Sequence, residues 1–229
     1  PMCGSGGCIQ GTPAFLGALR AATSATGALL IFDEVMTSRL APGGLHGDLD
    51  LTPDLVTLGK YIGGGLSFGA FGGRAEILDR FDPRQPGAWP HAGTFNNNVF
   101  TMSAGLAGLT QIYTTDRVAP FNAAGDRLRE RLNAAIQARG LPMVVTGRGS
   151  MMTAHPGETA PKAPPEASAR NRRLIDLMHL DLIGAGIYTA RRGMMTLSLP
   201  MTAEDHDRMV SAFEEFLDTR SRVIEQAGA

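Results

Sequence analysis

Two short stretches carry residue types that could do chemistry together. In Asp54-Leu-Val-Thr-Leu-Gly-Lys60-Tyr-Ile-Gly-Gly-Gly65, residues 56–58 read as a short buried strand with Lys60 at its end. Gly59 is expected to release the backbone from ordinary φ limits, and the three glycines after Lys60 leave the strand end bare of side chains. In Leu29-Leu-Ile-Phe-Asp33-Glu34-Val35 a second apolar strand ends on two acids. Adjacent strand residues point to opposite faces, so only one acid serves a common site, and Asp33 is the choice. An amine and a carboxylate at neighbouring strand ends suit a lysine Schiff-base cofactor such as pyridoxal phosphate, where an acid holds the ring nitrogen. The plainer alternative for Lys60 is a solvated lysine ahead of a flexible loop.

Two further stretches could bind anions. His91-Ala-Gly-Thr94-Phe-Asn-Asn-Asn98 is rich in donors and opens a helix expected over 99–113. Free N–H groups at a helix start suit phosphate. A simple N-cap by Asn96 or Asn97 competes with that reading. Near the C-terminus stands Arg191-Arg192-Gly193. Along an extended segment only one of these arginines can face inward, where it would clamp a carboxylate bidentately.

Other chemistries lack their residues. A Walker A loop needs glycine where Asp54 stands and Ser or Thr where Tyr61 stands. No Gly-x-Ser-x-Gly elbow is present. Cys3 and Cys8 have no further ligands at zinc spacing, and the five histidines are scattered. A net charge of −1 gives no field for nucleic acid. No apolar run spans a membrane, no signal peptide is seen, and the two thiols read as free. These features fit a cytoplasmic setting.

The elements that must position these groups follow an α/β order. Thr12-Pro13 caps a helix that Gly27 ends, and residues 28–32 form a strand covered on both faces. Residues 67–72 read as a strand, 74–81 as a short helix, and 1–11 as a loop. The helix 99–113, rich in Ala, Gly and Met, suits close packing in a large core. From 118 the pattern changes to an amphipathic helix over 118–139, strands over 143–146 and 150–155, a Pro-rich segment over 156–168, a helix over 170–186 and a strand over 194–199. Thr202-Ala-Glu-Asp205 is a capping box before an apolar helical stripe at 209, 210, 213, 216 and 217. The expectation is a large α/β domain over 1–117 and a small α+β domain over 118–229.

The words FDEVMTSRLAPGGL, LTPDLVTLGKYIGGGLSFGAFGGR and HAGTFNNN resemble class III aminotransferases of the pyridoxal-phosphate fold type I group. Glutamate-1-semialdehyde aminomutases share the frame. MTSRLAP, GKYIGGGLSFGAFGG, GTFNNN and RRGMMTLSLP are more similar to β-amino-acid transaminases of the β-phenylalanine type. The resemblance covers almost the whole chain. It implies a mainly parallel-sheet domain, here its C-terminal part, followed by the small domain, with the N-terminal half of the family missing. It implies transfer of an amino group from a β-amino acid to 2-oxoglutarate or pyruvate. Lys60 would form the Schiff base with pyridoxal 5′-phosphate and move the proton, and Asp33 would pair with the pyridine nitrogen. Val35 would pack against the ring and Met36 would lie beside it. Thr94 would reach the phosphate in a neighbouring subunit, which makes the active form a homodimer. Arg192 would bind a carboxylate, although Arg191 stands where similar members have proline. A glutamate-1-semialdehyde-type isomerase and a non-catalytic fragment are the alternatives.

Overall fold

The computed structural model describes residues 1–164 and 169–228. The last residues of the Pro-rich 156–168 segment lie outside the described residues. The chain divides into two compact units, one of Pro1 and Gly11–Ala119, the other of Met2–Gln10 and Pro120–Ala229.

Residues 2–10 are not the plain loop expected. They form a small hairpin of β1 (Met2–Cys3) and β2 (Ile9–Gln10), and they belong to the second unit.

The first unit begins with α1 (Pro13–Thr26), whose start and stop follow local chemistry. Thr12 Oγ1 accepts from Phe15 N–H, Pro13 opens the helix, and Gly27 closes it in the left-handed region. Its sheet has the order β3-β4-β5, with β3 (Ile31–Asp33), β4 (Leu55–Gly59) and β5 (Gly69–Gly73). β3 runs parallel to β4, and β5 runs antiparallel to β4. β3 is shorter than the apolar run suggests. Leu30 donates to the Asp54 carboxylate at 2.7 Å and accepts from Asp54 and Leu55 N–H, so ladder pairing starts only at Ile31. It is also covered less than expected: Phe32 is buried with Leu16 and Leu30, but Ile31 is 52% exposed, because the other face of the strand meets no layer in this unit.

After β3 come a 3₁₀ turn (Thr37–Leu40) and the short α2 (Leu45–Asp48). A 3₁₀ turn (Lys60–Gly63) follows β4, and α3 (Ala75–Leu78) with a 3₁₀ turn (Asp79–Phe81) follows β5. The next helix, α4 (Val99–Ala107), ends in a π turn (Gly108–Ile112). It is not the core helix its composition suggested. Thr101 and Gly105 are buried, while Phe100 is 73% exposed.

In the second unit α5 (Thr115–Ala138) enters from residue 120 onward. An antiparallel sheet follows, in the order β6 (Met143–Arg148), β7 (Met151–Pro156), β8 (Met194–Thr196), with α6 (Ala169–Gly184) before β8. The closing α7 (Ala203–Gly228) starts with a reciprocal cap: Asp205 Oδ2 accepts from Thr202 N–H, and Thr202 Oγ1 from Asp205 N–H. One core joins Leu132 and Ile136 of α5, Met152 of β7, Met178 of α6, and Phe213 and Leu217 of α7. The apolar spacing of α5 and α7 points there as the sequence predicts.

Candidate active site

The parallel pair β3 and β4 ends in the same direction, so the groups after their carboxyl ends converge. Asp33 lies in register with Thr57. Its Oδ1 accepts from Val35 N–H at 2.9 Å and from the Thr57 hydroxyl at 3.2 Å. Oδ2 has no partner among the described residues. Asp33 is thus an exposed carboxylate fixed through one oxygen, with the other open.

Glu34, the next residue, has the opposite environment. It is 0% exposed. Its carboxylate accepts from the Thr37 hydroxyl, from Leu45 N–H at 3.1 Å and from His46 N–H at 2.7 Å, and it meets His46 Nδ1 at 2.9 Å. These donors hold the 37–46 segment onto the end of β3. All of them lie later in the chain, so local periodicity carries no signal for this role.

Lys60 sits at the end of β4 with φ +54, a left-handed conformation that non-glycine residues adopt rarely and that costs of order 1–3 kcal/mol. The freedom expected of Gly59 is not used, since its φ of −179 is ordinary extended backbone. What Gly59 supplies is room: a Cβ there would stand 3.3 Å from Val35 Cγ1 and 3.1 Å from Phe68 O. Val35 therefore packs beside the residue that precedes Lys60. The Lys60 amine is exposed and has no ion-pair partner among the described residues.

The turn that starts at Lys60 is pressed against α4. Gly64, at φ +62, has no space for a Cβ, which would fall 2.3 Å from Ala104 O. A Cβ on Gly105 would fall 2.4 Å from Ile62 O. Behind the lysine, Tyr61 meets Tyr113 edge to face at 5.3 Å, and the Tyr113 hydroxyl donates to Arg39 O. Burial pushes the Tyr61 phenol up, and burial pulls the Arg39 guanidinium down. Met36, half-buried, leads into the turn that holds Arg39.

A second acid escaped the sequence reading. Asp54 accepts from Leu30 N–H, Arg20 Nη1 and Arg74 Nη1, all within 2.9 Å. These donors, the Leu30 N–H first, hold its carboxyl well below the usual carboxylate range. It ties α1, β3 and the end of β5 together behind the site.

Thr94 lies in an exposed turn before α4, where Asn96 N–H donates to Gly93 O. The cap of that helix is Asn98, not Asn96 or Asn97. Its Oδ1 accepts from Phe100 and Thr101 N–H, so two of the donors expected for an anion are already used.

Arg192 belongs to the second unit. The 190–193 segment is a turn, not the extended stretch expected, because Gly193 N–H donates to Ala190 O at 2.9 Å. Arg191 pairs bidentately with Asp176 at 2.7 and 2.8 Å, and Arg192 Nη2 contacts Met194 Sδ at 3.2 Å. Asp33, Val35, Met36 and Lys60 are thus gathered on adjoining segments of the first unit, with Thr94 on another of its turns.

Comparison with known proteins identifies a family. A family model described as aminotransferase class-III matches residues 1–217. The chain is 48% identical over 227 residues to a beta-phenylalanine transaminase of Variovorax paradoxus, covering 99% of this chain and 52% of that protein. It is 37% identical over 217 residues to a glutamate-1-semialdehyde 2,1-aminomutase of Limosilactobacillus reuteri, covering 93% of this chain and 50% of that protein. The crystal structure of a beta-phenylalanine aminotransferase from Variovorax paradoxus superposes with a TM-score of 0.94 at 49% identity, over 97% of this chain and 51% of that one. The chain spans about half the length of the relatives it matches.

Proposed function

Because this chain belongs to the class III aminotransferases, a pyridoxal-phosphate-dependent family of fold type I, we propose that the whole protein moves the amino group of a β-amino acid of the β-phenylalanine kind onto 2-oxoglutarate or pyruvate. One observation carries the reading: an unpaired lysine in a strained left-handed conformation, on the strand next to a carboxylate that has one open oxygen. Strain at a non-glycine residue persists where the surroundings impose it, and such positions cluster at reacting sites.

The donor set suits pyridoxal phosphate. The open oxygen of Asp33 would hold the pyridine nitrogen in its protonated form, and the hydrogen bonds on the other oxygen keep the carboxylate in place. The bound cofactor supplies an electron-accepting ring that makes the substrate C–H acidic. Lys60 would hold the cofactor and then carry the proton between the substrate carbon and C4′. Val35 would pack on the ring and Met36 would border the substrate. Arg192 would bind a carboxylate as a bidentate donor. Residues 11–117 would belong to the cofactor-binding domain and 118–229 to the small domain, with which residues 2–10 group.

Thr94 would reach the cofactor phosphate of a neighbouring subunit, so the active form would be a homodimer. Phe95 beside it is 82% exposed, Val99, Phe100 and Leu106 of α4 are exposed too, and a group of exposed apolar side chains favours a covering partner. None of the described helices is long and apolar enough to cross a membrane.

The test is a panel of amine donors on the whole protein, with β-phenylalanine and both acceptors, read as keto acid formed. Transfer from β-amino acids that requires an added keto acid is the expected result. Isomerisation of glutamate-1-semialdehyde with no added keto acid would favour the aminomutase reading, for which the Limosilactobacillus reuteri relative speaks. Failure to take up pyridoxal phosphate would leave the non-catalytic alternative.

A further inference from the structure

Arg191 and Arg192 occupy the two central positions of the turn that Ala190 O and Gly193 N–H close. Gly193 adopts φ +84, and a Cβ on it would stand 3.0 Å from Ala154 O and 3.3 Å from Ile175 Cγ2. The turn is therefore pressed against β7 and α6. Both arginines line one cavity of about 610 Å³ within the second unit, together with Asp176, Arg172 and Asn171.

The two guanidinium groups differ in what they hold. Arg191 presents Nε and Nη2 to the two oxygens of Asp176, at 2.7 and 2.8 Å. That fork is the one a substrate carboxylate would otherwise engage. Arg192 has no carboxylate partner among the described residues; its contact is the Met194 sulfur at 3.2 Å. A thioether is a weak acceptor, which a carboxylate displaces readily. Asp176 is held on α6 beside the buried Ile175, so it meets the turn from a fixed helix.

We infer that Asp176 is a specificity-determining residue: by occupying Arg191 it keeps that guanidinium from gripping a carboxylate in the cavity that Arg192 also lines, and so withholds an anchor from dicarboxylates. The inference rests on the proposed function only in taking an organic acid as the ligand. Loss of the Asp176 charge releases Arg191 into the same cavity, where it can grip a second carboxylate group.

Calorimetric titration of the whole protein with glutarate and with butyrate reads this without turnover. In the parent protein Arg192 supplies the charge-assisted contact that both acids share, and the glutarate-to-butyrate ratio measured there is the reference for the variants. Asp176→Asn tightens glutarate about tenfold and changes butyrate less than about threefold, and Arg191→Ala in that background removes the gain. Arg191→Ala alone changes either acid less than about twofold, whereas Arg192→Ala weakens both about tenfold or more. The inference is overturned if Asp176→Asn leaves the glutarate-to-butyrate ratio unchanged. It is equally overturned if Arg191→Ala alone weakens binding as much as Arg192→Ala. The expected titrations in a protein that transfers no amino group would refute the proposed function and leave this inference standing. Amino transfer with an unchanged ratio would refute this inference alone.

Discussion

Gly105→Ala separates packing from helix propensity next to the reacting lysine. In an unencumbered helix interior, alanine is favoured over glycine by about 1 kcal/mol. Gly17 in α1 is such a site, with nothing within 4 Å of a built Cβ. At Gly105 the Cβ would stand 2.4 Å from Ile62 O, and that oxygen belongs to the turn that Lys60 opens. An ordinary carbon–oxygen contact is about 3.3 Å. Helix α4 must then retreat by about 1 Å, or the turn must shift with it. Overpacking of this kind costs about 1–3 kcal/mol, which exceeds the propensity gain. Urea unfolding of the two variants reads the difference. Gly17→Ala is expected to raise the stability by about 0.5–1 kcal/mol, and Gly105→Ala to lower it by about 1–2 kcal/mol. Retention of pyridoxal phosphate on dialysis should fall for Gly105→Ala and stay unchanged for Gly17→Ala. If Gly105→Ala stabilises the protein as Gly17→Ala does, α4 does not press on the turn, and the account of how Lys60 is held is wrong.

Three further outcomes follow from single side chains. Asp33→Asn keeps the shape but removes the charge that would hold the ring nitrogen, so kcat should fall about 10²-fold or more with the fold intact by circular dichroism. Phe213→Ala, at a fully buried position in the second unit, should cost about 3–5 kcal/mol in urea unfolding. His155 is buried against Gly7 O and the Thr146 hydroxyl, and burial pulls its imidazole down from 6.5. The unfolded chain then binds the proton more readily than the native one, so stability is complete above about 6.5 and is lost as the pH falls below it. His155→Gln should flatten the slope of stability against pH below 6.5 by up to about one proton.

Much of this architecture could be read from local residues, because local residues decide it. Thr12, Pro13 and Gly27 bound α1, and Thr202 with Asp205 opens α7, through contacts within a few positions. The apolar stripes of α5 and α7 reach one core because a 3.6-residue period needs no distant information. What could not be read depends on residues far along the chain. Nothing near Lys60 dictates its positive φ; the turn is held by α4, some forty positions later. Glu34 and Asp33 are alike in sequence, and only the donors at Thr37, Leu45 and His46 make one buried and the other open. The arginine pair was read as extended, whereas Gly193 packs on β7 and α6 and folds it into a turn. The surface of α4 reads as core by composition, yet most of its apolar side chains are exposed in this unit.

If Lys60 carries the cofactor, borohydride reduction fixes the cofactor to that residue. This chain has two lysines, Lys60 and Lys162, and peptide mass tells them apart. The whole protein is loaded with pyridoxal phosphate, reduced with borohydride and digested, and the reduced cofactor is located by peptide mass. The label is expected on the peptide containing Lys60, with none on the peptide containing Lys162 and none on a Lys60→Ala variant. A label on Lys162, or labelling that persists in Lys60→Ala, would contradict it.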